Sequence, residues 1–507
     1  ILAAASFTAY GAPAETENVS VMMQEAATEL QEAAEAAVSS AETETESSIA
    51  EEIAKKLSSL DGVVSVTPVE VMEQLKPMDR FQGRYVVEFE QPIDWNDPEK
   101  GTFTQRAFVG YSDTADVTCY YAGGYNISDD LVPIYMQVVD ARPDLIERYD
   151  CNYVEFEYRF FGESKPEDLS YDEIKYWEFL TSENASKDFQ HMITELDQVL
   201  GGSTVFYGGS KGGYTTESLA YYDPDAVDAF ISYVAPLCDG TNDPRFFNNL
   251  YHTIGDKDPS FGEGEAEHAR DLMMSAQLVL LDPRVRDEGQ ARLMEEIAQA
   301  GLHVSPLATE DEAYEESIAE FGTGIWQNLP KTVFDDLEQI AAMPEETDEE
   351  IREKFEAVWN LYSAQMPALN VTYDSFMAPY YYQTYTEMGN AGADFSALRE
   401  AGAEIRTSPE AEKDMLMRLW SPVAVNNNMP YDDTFRNELI DFMNTTEKDI
   451  IKIVGLSDPW YAVKAPVTEN EHIHLYEVSG NHGTGIVNME PEMQAECYEL
   501  LDSLLGK

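Results

Sequence analysis

Four cysteines in 507 residues exclude a disulfide-built scaffold, since even full oxidation would place only two bridges in a chain of that length. Basic residues are scarce: 32 Lys and Arg stand against 96 Asp and Glu, and the resulting net charge of −64 argues against a nucleic-acid phosphate backbone or an anionic lipid surface as partner. Long hydrophobic runs are missing as well. The most apolar opening stretch, "ILAAASFTAYGAPA", is too short to cross a bilayer, so an integral membrane segment is not expected. No internal repeat breaks the chain into an array. What remains is 43% hydrophobic and 11% aromatic sequence, with 29 Tyr, enough to bury a core despite the charge. The length fits one large enzyme fold carrying an insertion.

Residues 1–14 have no charge and end in the small-x-small step Ala12-Pro13-Ala14, the form of a secretory cleavage site, so they are read as a signal-peptide remnant and export is expected. Residues 15–57 have no Lys or Arg before Lys55 and too little apolar area to offset ordering entropy, so they are read as a disordered acidic leader.

From residue 58 the pattern is that of a globular protein. "GRYVVEFEQPIDW" and "TFTQRAFVGYS" alternate apolar and polar residues around an Asn96-Asp97-Pro98 turn and predict an antiparallel pair. "DVTCYYAGGY", "NYVEFEYRFFG", "STVFYGG" and "VDAFISYVAP" are nearly continuous apolar runs separated by helical stretches, the mark of a parallel sheet covered on both faces. Cys119 and Cys151 fall in such runs and read as small buried hydrophobes. Between residues 240 and 437 strand signal fades and helix periodicity dominates, and sheet-like sequence resumes with "KDIIKIVGLSDPW" and "EHIHLYEVSGNHG". The expectation is a mostly parallel eight-stranded α/β sheet in two pieces, 58–239 and 438–507. A helical cap at 240–437 is inserted between the sixth and seventh strands.

The sharpest local signal is "VFYGGSKGGY". A strand ending in Gly208-Gly209-Ser210-Lys211-Gly212 and leading into a helix fits the nucleophile elbow of α/β hydrolases, where glycines two residues either side of the serine relieve crowding in a sharp turn. A serine hydroxyl needs a base, and hydrolases of this type supply an acid and then a histidine later in the chain. Asp458, just past "IIKIVG", and His482, in the glycine-bounded loop after "HLYEVS", stand in that order beyond strand ends. Lys211 follows the serine on the diverging side of the turn, so its backbone N–H, rather than its ammonium, is the candidate oxyanion donor. Gly124 or Tyr125 in "YYAGGYN" is the candidate second donor. His472 and His474 share one strand face, but no third ligand with supporting spacing accompanies them, and no metal or cofactor is expected.

These residues resemble a known group. "QPIDWNDPEKGTFTQR", "EYRFFGESKP", "FLTSENASKDF", "GGSKGGYT", "YYYQTYTEMG", "SDPW" and "GNHG" look like landmarks of the secreted serine tripeptidyl aminopeptidases, α/β-hydrolase exopeptidases related to the prolyl carboxypeptidase and dipeptidyl peptidase group. The resemblance runs from about Ser58 to the carboxyl terminus. It implies Ser210 as nucleophile, Asp458 as acid and His482 as base, and a cap restricting the site to chain ends. It also implies an acidic cap residue binding the substrate ammonium, for which Glu387 is the candidate. Tyr382, Trp460 and a Glu157–Arg159 ion pair are further candidates for substrate contact. The expected function is extracellular release of short peptides, tripeptides foremost, from free amino ends, with an esterase or lipase using the same residues, or a non-catalytic binding protein, as alternatives. Trp95 and the long acidic leader have no place in the family pattern, which leaves the length of the released peptide open.

Overall fold

The computed structural model describes residues 40–70, 80–127, 144–170, 173–467 and 469–507. The signal-peptide reading of 1–14 and the leader up to residue 39 lie outside these residues.

Alternating sequence gives three antiparallel strands at the start: β1 (Val63–Pro68), β2 (Gly83–Pro92) and β3 (Thr102–Tyr111). Fully buried runs then give β4 (Val117–Ala122), β5 (Cys151–Phe156), β6 (Ser203–Gly209), β7 (Ala229–Tyr233), β8 (Ile450–Gly455) and β9 (Ile473–Val478). The order across the sheet is β1-β2-β3-β5-β4-β6-β7-β8-β9; β3 meets β5 antiparallel, and every later pair is parallel. This is the α/β-hydrolase fold.

Period-two alternation splits the buried sheet residues between two cores. Tyr120, Val154, Phe206, Phe230 and Ile450 share one with Phe189, Met192 and Leu196 of the Ser182–Leu200 helix. Cys119, Tyr121, Tyr207, Ile231 and Ile453 share the other with Cys497 and Leu501 of the Pro491–Leu504 helix. All four cysteines are buried.

Two expectations need correction. The described residues form nine strands rather than eight; the extra one, β1, is short and has no buried residue, so it lacks the apolar run that marks the others. The acidic leader is not disordered throughout: Ser40–Leu57 is a helix, and Ile53 and Leu57 are buried in the same core as β2. Two well-placed aliphatic residues on the final turns anchor a helix whose charge reads as disorder.

The chain between Tyr233 and Ile450 contains no strand. Its helices enclose an apolar cluster of their own, including Leu280, Ile318, Phe355 and Leu419, and lie over the carboxyl ends of the parallel strands.

Candidate active site

β6 ends in two glycines, and Ser210 follows with φ 58° and ψ −122°, a backbone conformation that an L side chain enters only under strain. Ser210 N–H donates to the Tyr233 carbonyl at 3.0 Å, and the Lys211–Tyr222 helix begins at once. A Cβ on Gly208 would lie 2.5 Å from the backbone of Gly212, and one on Gly212 would lie 2.0 Å from the Ala122 carbonyl oxygen. Glycine is therefore a steric requirement at both places.

At the same carboxyl edge of the parallel strands, Asp458 and His482 lie in the loops after β8 and β9. His482 Nδ1 and Asp458 Oδ2 are 2.7 Å apart, while Asp458 Oδ1 accepts from the Trp460 N–H at 3.0 Å. Both residues are buried, at 3% and 1% exposure, so the contact is shielded from bulk solvent. The two loops are tied by backbone bonds from Leu456 N–H to the Val478 carbonyl and from Ser457 N–H to the Gly480 carbonyl, each 2.9 Å. Asn249, from the start of the cap, donates to the carbonyls of Asp458 (3.4 Å) and Pro459 (3.1 Å).

The loop after β4 comes against the start of the helix that follows Ser210. Gly124 has φ +79°, and a Cβ there would lie 3.0 Å from Gly212 N. Burial raises the pKa of the Tyr125 phenol, and Tyr125 and Ser210 line the same cavity. The Lys211 side chain turns away into the core. Its Nζ lies 3.0 Å from the centroid of the Tyr158 ring and has no hydrogen-bond partner among the described residues, and burial holds its pKa far below the usual lysine range.

Between core and cap lies a cavity lined by Gly123, Tyr125 and Ser210 of the core, by Phe246, Tyr380, Tyr381 and Trp420 of the cap, and by Trp460 from the loop after β8. The Trp460 indole is held by Gln327 Oε1 at 2.7 Å.

Other sequence candidates do not reach the cavity lining. Glu387 accepts from Ser182 N–H (2.8 Å), Ser182 Oγ (2.7 Å) and Gln383 Nε2 (3.2 Å), fastening the cap to the Ser182–Leu200 helix, and burial raises its pKa. Tyr382 is 2% exposed and packs on Trp177 with ring centroids 5.1 Å apart. The expected Glu157–Arg159 ion pair does not form. Arg106 on β3 pairs with Glu157 at 2.8 Å, and Asp188 on the Ser182–Leu200 helix pairs with Arg159 at 2.6 Å; each partner comes from a different element, and all of this charge is internal. Trp95 finds its place here, donating Nε1–H to Asp188 at 2.7 Å.

His472 and His474 both reach Asp449 Oδ1, at 3.2 and 2.8 Å, and among the described residues no cluster of three or more His, Cys, Asp or Glu has the geometry to hold a metal.

Two carboxylates of the lining escaped the sequence reading. Glu155 on β5 stands beside Gly123, and Glu320 faces the cavity from the Glu310–Asn328 helix of the cap. Glu320 has Glu316 one turn behind it. Burial pushes the Glu320 carboxyl up to about 7, and burial plus the neighbouring Glu320 raises Glu316 well above the ordinary range. The i, i+4 spacing of "EESIAE" was the available signal.

The sequence model of the PS-10 peptidase S37 family matches residues 51–502. The chain belongs to this S37 peptidase family. A prolyl tri/tetrapeptidyl aminopeptidase of Streptomyces mobaraensis is 23% identical over 455 residues, covering 86% of this chain and 83% of the relative. Among solved structures, a proline iminopeptidase of Mycobacterium smegmatis aligns with TM-score 0.34 at 11% identity, over 82% of this chain and 98% of its own. A homoserine O-acetyltransferase of Staphylococcus aureus aligns with TM-score 0.35 at 13% identity, over 82% and 95%. Membership of the S37 family makes the chain a serine peptidase. No helix among the described residues is long and apolar enough to cross a membrane.

Proposed function

We propose that this S37 peptidase removes short peptides from the free amino end of its substrates through an acyl-enzyme on Ser210. The observation that carries the reading is the buried 2.7 Å contact between Asp458 and His482, on the same sheet rim as a strained serine that opens onto a cavity. Asp458 accepts the Nδ1 proton of His482 and so leaves Nε2 as the basic nitrogen. His482 takes the Ser210 proton as the oxygen attacks the scissile carbonyl, then delivers it to the leaving amine, and water repeats the sequence to release the acyl group.

The oxyanion is received by the Lys211 N–H, one of the donors at a helix start that has no partner within the helix, and by the N–H of Gly124 or Tyr125. The close approach of Gly124 to Gly212 supports that pairing of loops. The substrate ammonium is bound by Glu320, in place of Glu387, because Glu320 lies on the cavity wall while Glu387 is engaged with Ser182. Aromatic walls from Trp460, Tyr381 and Trp420 suit proline or another apolar side chain next to the cleaved bond. Release of tri- or tetrapeptides is supported by the name of the Streptomyces relative, and action outside the cell by the uncharged stretch ending in Ala12-Pro13-Ala14.

The test pairs Ser210→Ala with a fluorophosphonate probe and with tripeptidyl p-nitroanilides bearing free or blocked amino ends. Labelling of Ser210 and cleavage of the free peptides, both lost in the variant, are expected. Equal cleavage of blocked peptides would remove the amino-end requirement, and turnover of short esters alone would make the chain an esterase.

A further inference from the structure

The cap does more than cover the cavity: near its beginning it sends one carboxylate back beneath the rim. Asp258 lies in the turns between Asn249–Thr253 and the Glu265–Leu280 helix and is 3% exposed. Its Oδ2 accepts from the Ser457 hydroxyl and from the Gly480 N–H at 3.0 Å. Its Oδ1 accepts from the Ser479 hydroxyl at 2.6 Å and from the Ser260 N–H at 2.9 Å. Ser457 adjoins Asp458, and Ser479 and Gly480 open the turn that carries His482. One anion thus gathers donors from both loops and from its own turn.

Such a cluster requires the ionised acid. Burial alone would favour the neutral form, yet the hydrogen bonds from Ser457 and Ser479 bring the pKa below the usual carboxylate range. A buried carboxylate meeting several donors is a strong and directional fastening. The backbone bonds between the loops fix their strand-like register, whereas Asp258 fixes the turns beyond it, where the two functional side chains leave the backbone.

We propose that Asp258 is a positioning residue, holding the Asp458 and His482 loops from the cap so that imidazole and carboxylate meet in the geometry that activates Ser210. The proposal rests on the assignment of those three residues made under Proposed function. It makes acylation depend on the seating of the cap even for a reagent that touches no cap subsite. A misplacement of about 1 Å in such a site costs on the order of 100-fold in rate.

The experiment measures the rate of Ser210 labelling by a small fluorophosphonate in wild type, Asp258→Asn, and the separate variants Ser457→Ala and Ser479→Ala. Labelled peptides are mapped, kcat and KM are determined on a tripeptidyl p-nitroanilide, and the downfield proton resonance of the His482–Asp458 bond is recorded. Asp258→Asn keeps the shape but turns one acceptor into a donor facing other donors. Its labelling rate and kcat are expected to fall together by between about 10-fold and about 100-fold, with KM within about twofold of wild type and the downfield resonance shifted or broadened. The serine variants keep the carboxylate and are expected to show smaller losses of the same kind, which preserves the test if Asp258→Asn does not fold. Wild-type labelling rates in a folded Asp258→Asn, or in both serine variants, would overturn the proposal, as would a rise in KM with kcat and the resonance unchanged. Label mapped to a residue other than Ser210 in wild type would instead overturn the catalytic assignment itself.

Discussion

The Ala122 carbonyl oxygen lies 2.0 Å from where a Cβ on Gly212 would stand, so the end of β4 and the start of the helix after Ser210 touch through backbone alone. That contact brings the candidate oxyanion loop and the serine elbow into one unit. Gly212→Ala should therefore force β4 and the elbow apart. Expected are a stability loss of about 1–3 kcal/mol, the range for overpacking, and loss of fluorophosphonate labelling. Denaturant melts and labelling of the folded fraction separate the two effects.

Glu320 supplies a pH signature. Its carboxyl, raised from the usual 4.5 to about 7, is neutral below that range and anionic above it. An ammonium is bound by the anion, so KM for free-amino peptides should fall as pH rises through about 7. Blocked short esters should lack this limb, and Glu320→Gln should abolish it. The stability sign is opposite: the folded state holds the proton more tightly than the unfolded chain, so the contribution of this group is present at low pH and is lost between the two pKa values as pH rises. Glu320→Gln should accordingly be stabilising above neutrality relative to wild type, as read from pH-dependent melts.

Glu387→Gln should separate the two acidic candidates. The glutamine keeps one acceptor oxygen for the Ser182 N–H and hydroxyl but turns charge-assisted bonds into neutral ones, a cost of about 1 kcal/mol. Stability should fall while the KM preference for free over blocked peptides is retained. A lost preference would return the ammonium contact to Glu387.

Asp188→Ala removes the partner of a wholly buried guanidinium and the acceptor of the Trp95 indole. Breaking a buried pair on one side costs about 3–5 kcal/mol, so a large drop in the denaturant midpoint is expected, with KM unchanged in whatever fraction folds.

Legibility in the sequence followed the specificity of the chemistry. The strained turn at Ser210 was legible because it demands glycine at fixed offsets after an apolar run, and the proposed partners Asp458 and His482 were singled out because few other acid–histidine orders follow strand ends. The helical insertion showed through its periodicity. Glu320 and Glu387 were hard to tell apart: both are acidic residues in helical cap sequence, and with 96 acidic residues in the chain the i, i+4 pair of Glu316 and Glu320 is too common a pattern to mark the one that faces a cavity. Glu157 and Arg159 are near neighbours in sequence, yet their partners, Arg106 and Asp188, are set by tertiary packing. The Ser40–Leu57 helix was obscured because Ile53 and Leu57, the residues that seat it, are outnumbered by its charges.

Asn249 and Asp258 belong by sequence to the insertion but by their bonds to the loops after β8 and β9. The helical segment is consequently not a detachable module. A minimised variant that splices β7 directly to β8, or a chimaera that grafts a relative's insertion at those junctions, would carry away the fastenings of the loops after β8 and β9 unless these first turns were kept with the sheet. The natural boundary for such engineering lies after Asp258, inside the insertion rather than at its edge.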